Sequence, residues 1–396
     1  MAPVPSSRPK AFPMASVHIR APVLPGPPEQ LSTRITFFVA GFAMAAWAPL
    51  VPFAQERTGL GEGALGLLLL GLGGGSILAM PIAGAMAARF GCRLVLLLAT
   101  ALICLTLPLL ATISSFPLLM ATLFAFGAGV GGLDCVINIQ AVIVERASGR
   151  AMMSGFHGLF SVGGILGAGG VSLLLTLGAS PLAAILAVVA VILAATITAT
   201  PHLLRYGGSG DGPPFAIPHG VVLFIGILCF ITFLTEGAVL DWSAVFLTSV
   251  SGVEPSHAGL GYAVFALTMT VGRLLGDSIV RRLGGKLVIT LGGLLAASGL
   301  AVATLVPAWE AALAGWALVG AGCSNIVPVL YSAVGRQDVM PEHVAVPAIT
   351  TLGYAGILAG PAAIGLVAHV VSLPAAFLAI AVLLLGVAAS GRLLRV

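Results

Sequence analysis

The chain has 396 residues, of which 59% are hydrophobic and 8% are charged, with a formal net charge of +4. Soluble domains carry about 25% charged residues, so this composition excludes a soluble globular protein. A mean hydropathy of +1.14 and repeated apolar runs of membrane-helix length indicate an all-α polytopic membrane protein. The 52 glycines and 25 prolines suit membrane helices that pack closely against one another.

Residues 1–30 are rich in proline and carry Arg8, Lys10 and Arg20, which indicates a disordered basic tail. They lack the unbroken apolar core of a signal peptide. The rest of the chain contains runs of about 20 or more mainly apolar residues, the length that a helix needs to cross the hydrocarbon core. Twelve spans are predicted, at 35–54, 64–88, 94–113, 117–144, 151–177, 181–200, 219–248, 257–280, 287–306, 310–335, 344–370 and 373–391.

The longest hydrophilic interruption, residues 201–218, has the Gly, Ser, Asp and Pro content of a flexible linker. It divides the chain into an N-terminal half of six spans (31–200) and a C-terminal half of six spans (219–396). Lysine and arginine recur in every second loop, and of the 17 basic residues only Arg57 falls in a loop on the opposite side. Because basic residues are retained in the cytoplasm, both termini and the linker are predicted to be cytoplasmic.

The two halves repeat each other. Gly127-Ala128-Gly129 in span 4 recurs 193 residues later as Gly320-Ala321-Gly322 in span 10. The same separation relates the pair Gly163/Gly167 to the pair Gly356/Gly360. These pairs are small-x-x-x-small motifs, which predict close helix contacts, and we expect those contacts at the interface between the halves. The pattern predicts two pseudo-symmetric six-helix halves in parallel.

Two six-helix halves joined by a cytoplasmic linker resemble the major facilitator superfamily. The family's signature loop between spans 2 and 3 is similar to the sequence around Arg89 and Arg93, and its second-half counterpart is similar to the segment with Arg273 and Asp277. The resemblance implies that these charged residues gate a transport pathway. The acidic position of the first motif is Ala88 here. The gating ion pair is therefore expected in the other half, between Arg273 and Asp277, which lie one helical turn apart.

Three further segments, 134–140, 154–161 and 236–243, resemble a bacterial branch of the superfamily similar to the fucose permeases. That resemblance implies location in the cell inner membrane and transport by alternating access. It also implies proton-coupled movement of a small polar solute, with an acid of span 4, at the place of Asp134, as one proton carrier.

Asp134 lies in an otherwise apolar run, where an ionisable side chain costs about 2.5–3.5 kcal/mol and normally faces a bundle interior or a wet cavity. A carboxyl group is favoured as neutral in apolar surroundings and as charged near water or a cation, so its protonation can follow conformation. We interpret Asp134 as a proton carrier. The alternative is an acid held permanently in a hydrogen bond to a neighbouring helix. Asn138, on the same helix face, and Gln140, which points elsewhere, are candidate substrate ligands.

Span 7 carries a second acidic pair, Glu236 and Asp241. Five residues of α-helix separate them by about 140°, so both cannot face one cavity unless the helix breaks. Glu236, the deeper residue, is a candidate for proton coupling, and Asp241 is a candidate substrate ligand or outer gate. Trp242 is either a substrate contact or an aromatic anchor at the membrane interface. His157 can change charge close to neutral pH, so it is either a proton relay or a histidine with a structural hydrogen bond.

Polar side chains on spans 10 and 1 complete the candidate site. Asn325, Tyr331 and Trp47 must face inward, because unpaired polar groups are costly in lipid. Each then faces either a substrate cavity or another helix with which it forms a hydrogen bond, and the sequence favours neither.

No enzymatic motif is present: the chain has no H-E-x-x-H, G-x-S-x-G or phosphate loop. Its five cysteines lack the spacing of a disulfide framework or a metal site. We therefore expect no cofactor, no metal and no nucleic acid, and we expect a monomer whose partners are a small-molecule substrate, protons and the lipid bilayer. Proton-coupled symport is the preferred function. Proton-coupled efflux of a more hydrophobic compound is the alternative, and a non-transporting membrane receptor is the remote one.

Overall fold

A computed structural model of the protein describes residues 25–60, 62–207, 216–254 and 257–394, and these contain helices but no β-strand. Two short 3-10 turns, Ala48–Leu50 and Thr200–His202, accompany fourteen α-helices. The α-helices are α1 Pro27–Ala45, α2 Val51–Thr58, α3 Glu62–Phe90, α4 Cys92–Thr112, α5 Phe116–Ser148, α6 Met153–Thr176, α7 Pro181–Ala199, α8 Gly220–Ser249, α9 Leu260–Leu283, α10 Gly285–Leu305, α11 Trp309–Cys323, α12 Ile326–Val334, α13 Glu342–Val370 and α14 Leu373–Ser390.

Twelve of the described helical segments are long and apolar enough to cross a membrane, which confirms the predicted number. Span 1 comprises α1 and α2, span 10 comprises α11 and α12, and each remaining span is one helix in chain order. The first helix begins at Pro27, inside the segment predicted as a tail. Glu29 stabilises this start by accepting a hydrogen bond from the backbone N–H of Gly26 at 2.7 Å. The rest of the tail, 1–24, and the middle of the linker, 208–215, lie outside the described residues.

The break in span 10 follows from a proline. Pro328 has no N–H, so the carbonyl of Ser324 four residues earlier receives no helical hydrogen bond. The backbone is accordingly non-helical between Cys323 and Ile326. A carbonyl released in this way must find another donor inside the protein, because lipid offers none.

Each half is assembled through glycines that let helix backbones touch. A side chain at Gly163 or Gly167 of span 5 would overlap the carbonyls of Phe38 and Phe42 of span 1. In the other half, Gly356 lies against the carbonyl of Phe230 in the same way. The small-residue motifs therefore form helix contacts, as predicted. They join spans 1 and 5, and spans 7 and 11, within each half, so their expected position at the interface between halves was wrong.

The contact between spans 2 and 4 provides a test of this packing. A Cβ at Gly127 would overlap the backbone carbonyl of Leu72, whereas a Cβ at Gly170 would meet no atom within 4 Å. We expect Gly127→Ala to destabilise the protein by about 1–3 kcal/mol, the usual cost of overpacking. Gly170→Ala is the matched control and should leave the thermal unfolding midpoint in detergent unchanged or slightly raised. Equal midpoints for the two variants would contradict this account of the packing.

The two halves meet at one end of the bundle, which we call the linker side because residues 204–207 pack there. The N–H of Arg93, at the start of span 3, donates to the carbonyl of Leu204 at 2.7 Å. Across the interface, the N–H of Gly155 in span 5 donates to Asp277 of span 8 at 3.1 Å. The two halves are thus in contact on the linker side.

Candidate transport site

Asp134 lies near the middle of span 4, partly buried among polar groups from the other half. Its carboxylate lies close enough to the hydroxyl of Tyr354 on span 11 to interact with it electrostatically. Tyr331 of span 10 is also near enough to interact with it electrostatically. The Tyr331 hydroxyl lies 2.7 Å from Thr350 Oγ1, and Thr350 donates to the carbonyl of Val346. Tyr331 is therefore the donor to Thr350.

Asn138 follows Asp134 by one helical turn. Its Nδ2 donates to the backbone carbonyl of Asp134 at 2.9 Å. Its Oδ1 is buried and has no hydrogen-bond partner in the described part of the chain. Buried amide oxygens are nearly always hydrogen-bonded, so an unpaired one here is unusual.

Gln140 is directed away from this region. Its Nε2 donates to Thr33 Oγ1 of span 1 at 3.0 Å, and its Oε1 accepts from the N–H of Leu204 at 3.1 Å. Both ends of the amide are therefore used to hold span 4, span 1 and the linker together. The prediction that Gln140 contacts substrate is corrected to a packing role.

His157 lies between aromatic rings, with ring centroids 5.3 Å from Phe37 and 5.6 Å from Tyr331. Its side chain is buried, and its Nε2 atom has no hydrogen-bond partner among the described residues. It is also close enough to Arg273 for an electrostatic interaction. His157 thus connects the surroundings of Asp134 with a second charged group.

That second group is centred on Arg273 of span 8, which is 7% exposed. Its Nη2 lies 3.3 Å from Glu236 Oε1, and its Nη1 donates to Ser161 Oγ of span 5 at 3.0 Å. Its Nε donates at 3.4 Å to the carbonyl of Ser324, which Pro328 leaves without a helical donor. One guanidinium therefore joins spans 5, 7, 8 and 10. Arg273 pairs with Glu236, so the predicted pair between Arg273 and Asp277 was wrong.

Asp277 instead contacts the start of span 5. It accepts from the N–H of Gly155, while Glu145 of span 4 accepts from the N–H groups of Met152 and Met153 at 2.8 and 2.7 Å. A helix N-terminus carries unpaired N–H groups and a partial positive charge, which carboxylates stabilise. Span 5 therefore begins between two acids, one from each half.

The predicted gating arginines of the N-terminal half form no ion pair within the described residues. Arg89 is exposed and lies over the ring of Phe90, 5.2 Å from its centroid, and Arg93 is half-buried. The ion pair between the halves is a different one, with Arg146 Nη1 2.6 Å from Glu342 Oε1. The sequence contained no signal for this pair beyond opposite charges in two loops on the same side.

Four predicted residues lie outside the network of Asp134 and Arg273. Trp242 donates from Nε1 to the carbonyl of Pro361 at 3.2 Å, linking spans 7 and 11, and the neighbouring Asp241 is exposed. Asn325 donates from Nδ2 to the carbonyl of Gly272 at 3.0 Å, and its buried Oδ1 has no partner in the described ranges. Trp47 is buried, and its Nε1 is likewise unpaired there.

Sequence reasoning missed Tyr354, Thr350 and Ser161. Tyr354 is one of only four tyrosines in the chain, and a tyrosine in mid-membrane needs a partner for its hydroxyl. That rarity was a usable signal. Threonine and serine gave none, because their hydroxyls commonly bond to the preceding turn of their own helix.

The network as a whole contains two carboxylates in different surroundings. Asp134 has a tyrosine hydroxyl as its partner, whereas Glu236 is paired with the Arg273 guanidinium. Between them, the rings of Tyr331 and His157 pack together, with Tyr331 within electrostatic range of Asp134 and His157 within electrostatic range of Arg273. Spans 4 and 5 of one half and spans 7, 8, 10 and 11 of the other contribute to it, so a relative movement of the halves would alter it.

A buried polar network between two six-helix halves defines a secondary membrane transporter, and the comparisons with known proteins agree. Residues 35–345 match the model of the Major Facilitator Superfamily, and the chain belongs to that family. It is 57% identical over 377 residues to an uncharacterized MFS-type transporter of Yersinia pestis, covering 95% of this chain and 98% of that one. It is therefore a multi-pass membrane transporter of a small-molecule substrate, not an enzyme.

A more distant relative and a solved structure extend the comparison. The membrane protein MosC of Rhizobium meliloti is 30% identical over 381 residues, covering 94% of this chain and 91% of that protein. The crystal structure of the E. coli fucose:proton symporter FucP superposes with a TM-score of 0.79 at 16% identity, covering 92% of this chain and 98% of that one. At this identity the match defines the fold.

Proposed function

We propose that the protein is a proton-coupled symporter that moves a small polar solute across the inner membrane by alternating access. The observation that carries the proposal is Asp134, a mid-membrane carboxylate whose side-chain partner is the hydroxyl of Tyr354 from the opposite half. A carboxylate with no cation beside it can be neutralised by a proton. The fold that the chain shares with a protein named as a fucose:proton symporter agrees with this function.

In this proposal the two acids have separate roles. Asp134 takes up a proton from the far side of the membrane and releases it when the linker side opens. Glu236 stays paired with Arg273 while the substrate site is empty. His157 lies between the two groups and relays changes in one to the other.

The substrate is proposed to bind among the buried polar groups that have no hydrogen-bond partner in the described part of the chain. Asn138 offers an acceptor and His157 offers Nε2, which donates or accepts according to its tautomer. Trp47 offers a donor, and Asn325 offers a second acceptor. Mixed donors and acceptors without an excess charge suit a neutral solute rich in hydroxyl groups, such as a sugar or polyol.

The linker side is proposed to face the cytoplasm, because the basic residues concentrate in its loops. The contacts between Gly155 and Asp277 and between Arg146 and Glu342 then close the cytoplasmic exit. In this arrangement the solute and the proton enter from the outside. Separation of these contacts releases both to the cytoplasm.

The proposed cytoplasmic gate gives a prediction for Asp277. Ser154 is buried against Gly276, at the contact between spans 5 and 8. In a Ser154→Cys background, Asp277→Asn should increase the labelling rate by a membrane-impermeant maleimide several-fold, because the neutral amide holds Gly155 more weakly. The same acid-to-amide change at the exposed Asp241 is the matched control. An unchanged labelling rate in the Asp277 variant would remove this residue from the gate.

The function itself is tested in proteoliposomes that enclose a pH-sensitive dye, screened against sugars and polyols. Symport predicts that adding the right solute outside acidifies the interior, because protons enter with it. Antiport predicts alkalinisation, because protons leave as the solute enters. Radiolabelled solute that enters without any pH change would contradict proton coupling, and solute that binds but never enters would indicate a receptor.

A further inference from the structure

A pocket of about 280 Å³ opens on the linker side, between the end of span 4 and the end of span 10. Three arginines border it: Arg146 and Arg150 from the N-terminal half and Arg336 from the C-terminal half. The remaining lining residues are Val142, Glu145, Gly149, Ser332 and Gly335. The proposed transport function assigns no role to this pocket.

The pocket carries an excess of positive charge. Arg150 and Arg336 are exposed and form no ion pair among the described residues. Arg146 is paired with Glu342 through Nη1, but its side chain is 66% exposed and a guanidinium has further N–H donors for a ligand. The one acid in the lining, Glu145, already accepts two N–H groups at the positive start of span 5. Its single negative charge leaves the three guanidinium groups in excess in the lining.

Membrane orientation alone does not account for this arrangement. Retention of basic residues in the cytoplasm explains why arginines occur in these two loops. It does not require arginines from both halves to border one pocket. Guanidinium groups present planar pairs of donors that match phosphate oxygens, and the volume lies just below the range of about 300–1,000 Å³ typical of drug-sized ligands. It suits inorganic phosphate, pyrophosphate or a small phosphate ester.

We propose that this pocket binds a small soluble polyanion of the phosphate class and thereby holds the linker side closed. Arg146 and Arg150 move with one half and Arg336 moves with the other, so separation of the halves takes the site apart. A ligand that binds one conformation better shifts the population toward it. The anion thus slows the opening of the transporter to the linker side, which makes transport respond to the phosphate compounds in that compartment.

The binding test uses purified full-length protein in detergent, with pyrophosphate as the probe and sodium chloride at matched ionic strength as the reference. We expect pyrophosphate, but not chloride, to raise the thermal unfolding midpoint saturably, because a ligand of the native state stabilises it. Arg336→Gln and Arg150→Gln should each raise the pyrophosphate concentration needed for half-saturation by about tenfold or more. Each substitution removes charge-assisted hydrogen bonds to the anion. Arg392→Gln changes an exposed arginine that does not line the pocket and should behave as wild type.

The site would be overturned if pyrophosphate caused no saturable rise in the unfolding midpoint of the wild type, or if all three variants had the same pyrophosphate concentration at half-saturation. It would also be overturned if phosphatidylglycerol micelles, but not pyrophosphate, raised the midpoint. Hydrogen–deuterium exchange tests the conformational part separately. Pyrophosphate should slow exchange at the first turn of span 5, where Gly155 is bonded to Asp277 across the interface. Binding without slower exchange there would refute the closing of the linker side. Neither measurement depends on proton coupling or on the transported solute, so the site can fail while the proposed function stands.

Discussion

Asp134→Asn is expected to abolish accumulation of the solute against its gradient while leaving solute exchange across the membrane. The amide keeps the size of the carboxyl group and its place near the hydroxyl of Tyr354, but it cannot take up a proton. The permanently neutral side chain resembles the protonated state, so the loaded carrier still changes conformation. Proton-driven uptake should fall at least about a hundredfold, the lower range for loss of a positioned acid–base group.

Two measurements in proteoliposomes separate this prediction from general damage. Uptake under an imposed pH gradient should be lost, and exchange of labelled for unlabelled solute at equal pH should persist. Asp241→Asn is the matched control, because Asp241 is exposed on span 7 and lies outside the network. Asp134→Asn with wild-type accumulation and an unchanged dependence on pH would eliminate Asp134 as the proton carrier. Loss of both uptake and exchange would instead assign it to substrate binding.

The twelve spans and their division into halves could be predicted because a membrane helix needs an apolar run of defined length, which composition alone reveals. Asp134 could be found for the opposite reason: an acid inside such a run has an energetic cost that needs an explanation. The length of an apolar run and the presence of an acid inside it are both local properties of the sequence. The structure confirmed the spans and placed Asp134 close to the middle of span 4.

The partners of the charged residues could not be predicted in the same way. Spacing on one helix paired Arg273 with Asp277, but tertiary packing directs Arg273 to Glu236 and to the carbonyl that Pro328 releases. Gln140 was predicted to point away from the face of Asp134 and Asn138, but the sequence did not reveal what it would meet there. Its position on the helix turns it toward span 1. Helix periodicity defines which residues share a face, whereas the neighbour on that face depends on how the spans are arranged.

The internal repeat shows where the site departs from the symmetry of the two halves. The counterparts of Asp134 and Asn138 at the separation of 193 residues are Val327 and Tyr331. Spans 4 and 10 bring these pseudo-equivalent segments near each other, so the acid of one half interacts with the tyrosine of the other. The two repeated halves thus place a titratable carboxyl group and a tyrosine hydroxyl near each other, one from each half. In the proposed function, proton binding at Asp134 therefore responds to the distance between the halves.

The largest effect on stability is expected from Arg273→Met. The substitution keeps an unbranched side chain but leaves the buried carboxylate of Glu236 without its cation, and it leaves the carbonyl of Ser324 without a donor. Removing one partner of a buried ion pair costs about 3–5 kcal/mol, because the remaining charge is uncompensated. The thermal unfolding midpoint in detergent should fall accordingly. This loss of stability should become smaller as the pH is lowered, because a protonated and therefore neutral Glu236 does not require a cation beside it.

The double variant Arg273→Met/Glu236→Gln distinguishes the ion pair from simple loss of packing. Replacing the carboxylate with a neutral amide removes the buried charge, so most of the lost stability should return, and its dependence on pH should disappear. The coupling between the two substitutions should lie within the range of about 0.5–3 kcal/mol measured for residues of one network. If the two losses simply add, Arg273 acts through its contacts with Ser161 and Ser324 rather than through Glu236. The ion pair would then have no part in holding spans 7 and 8 together.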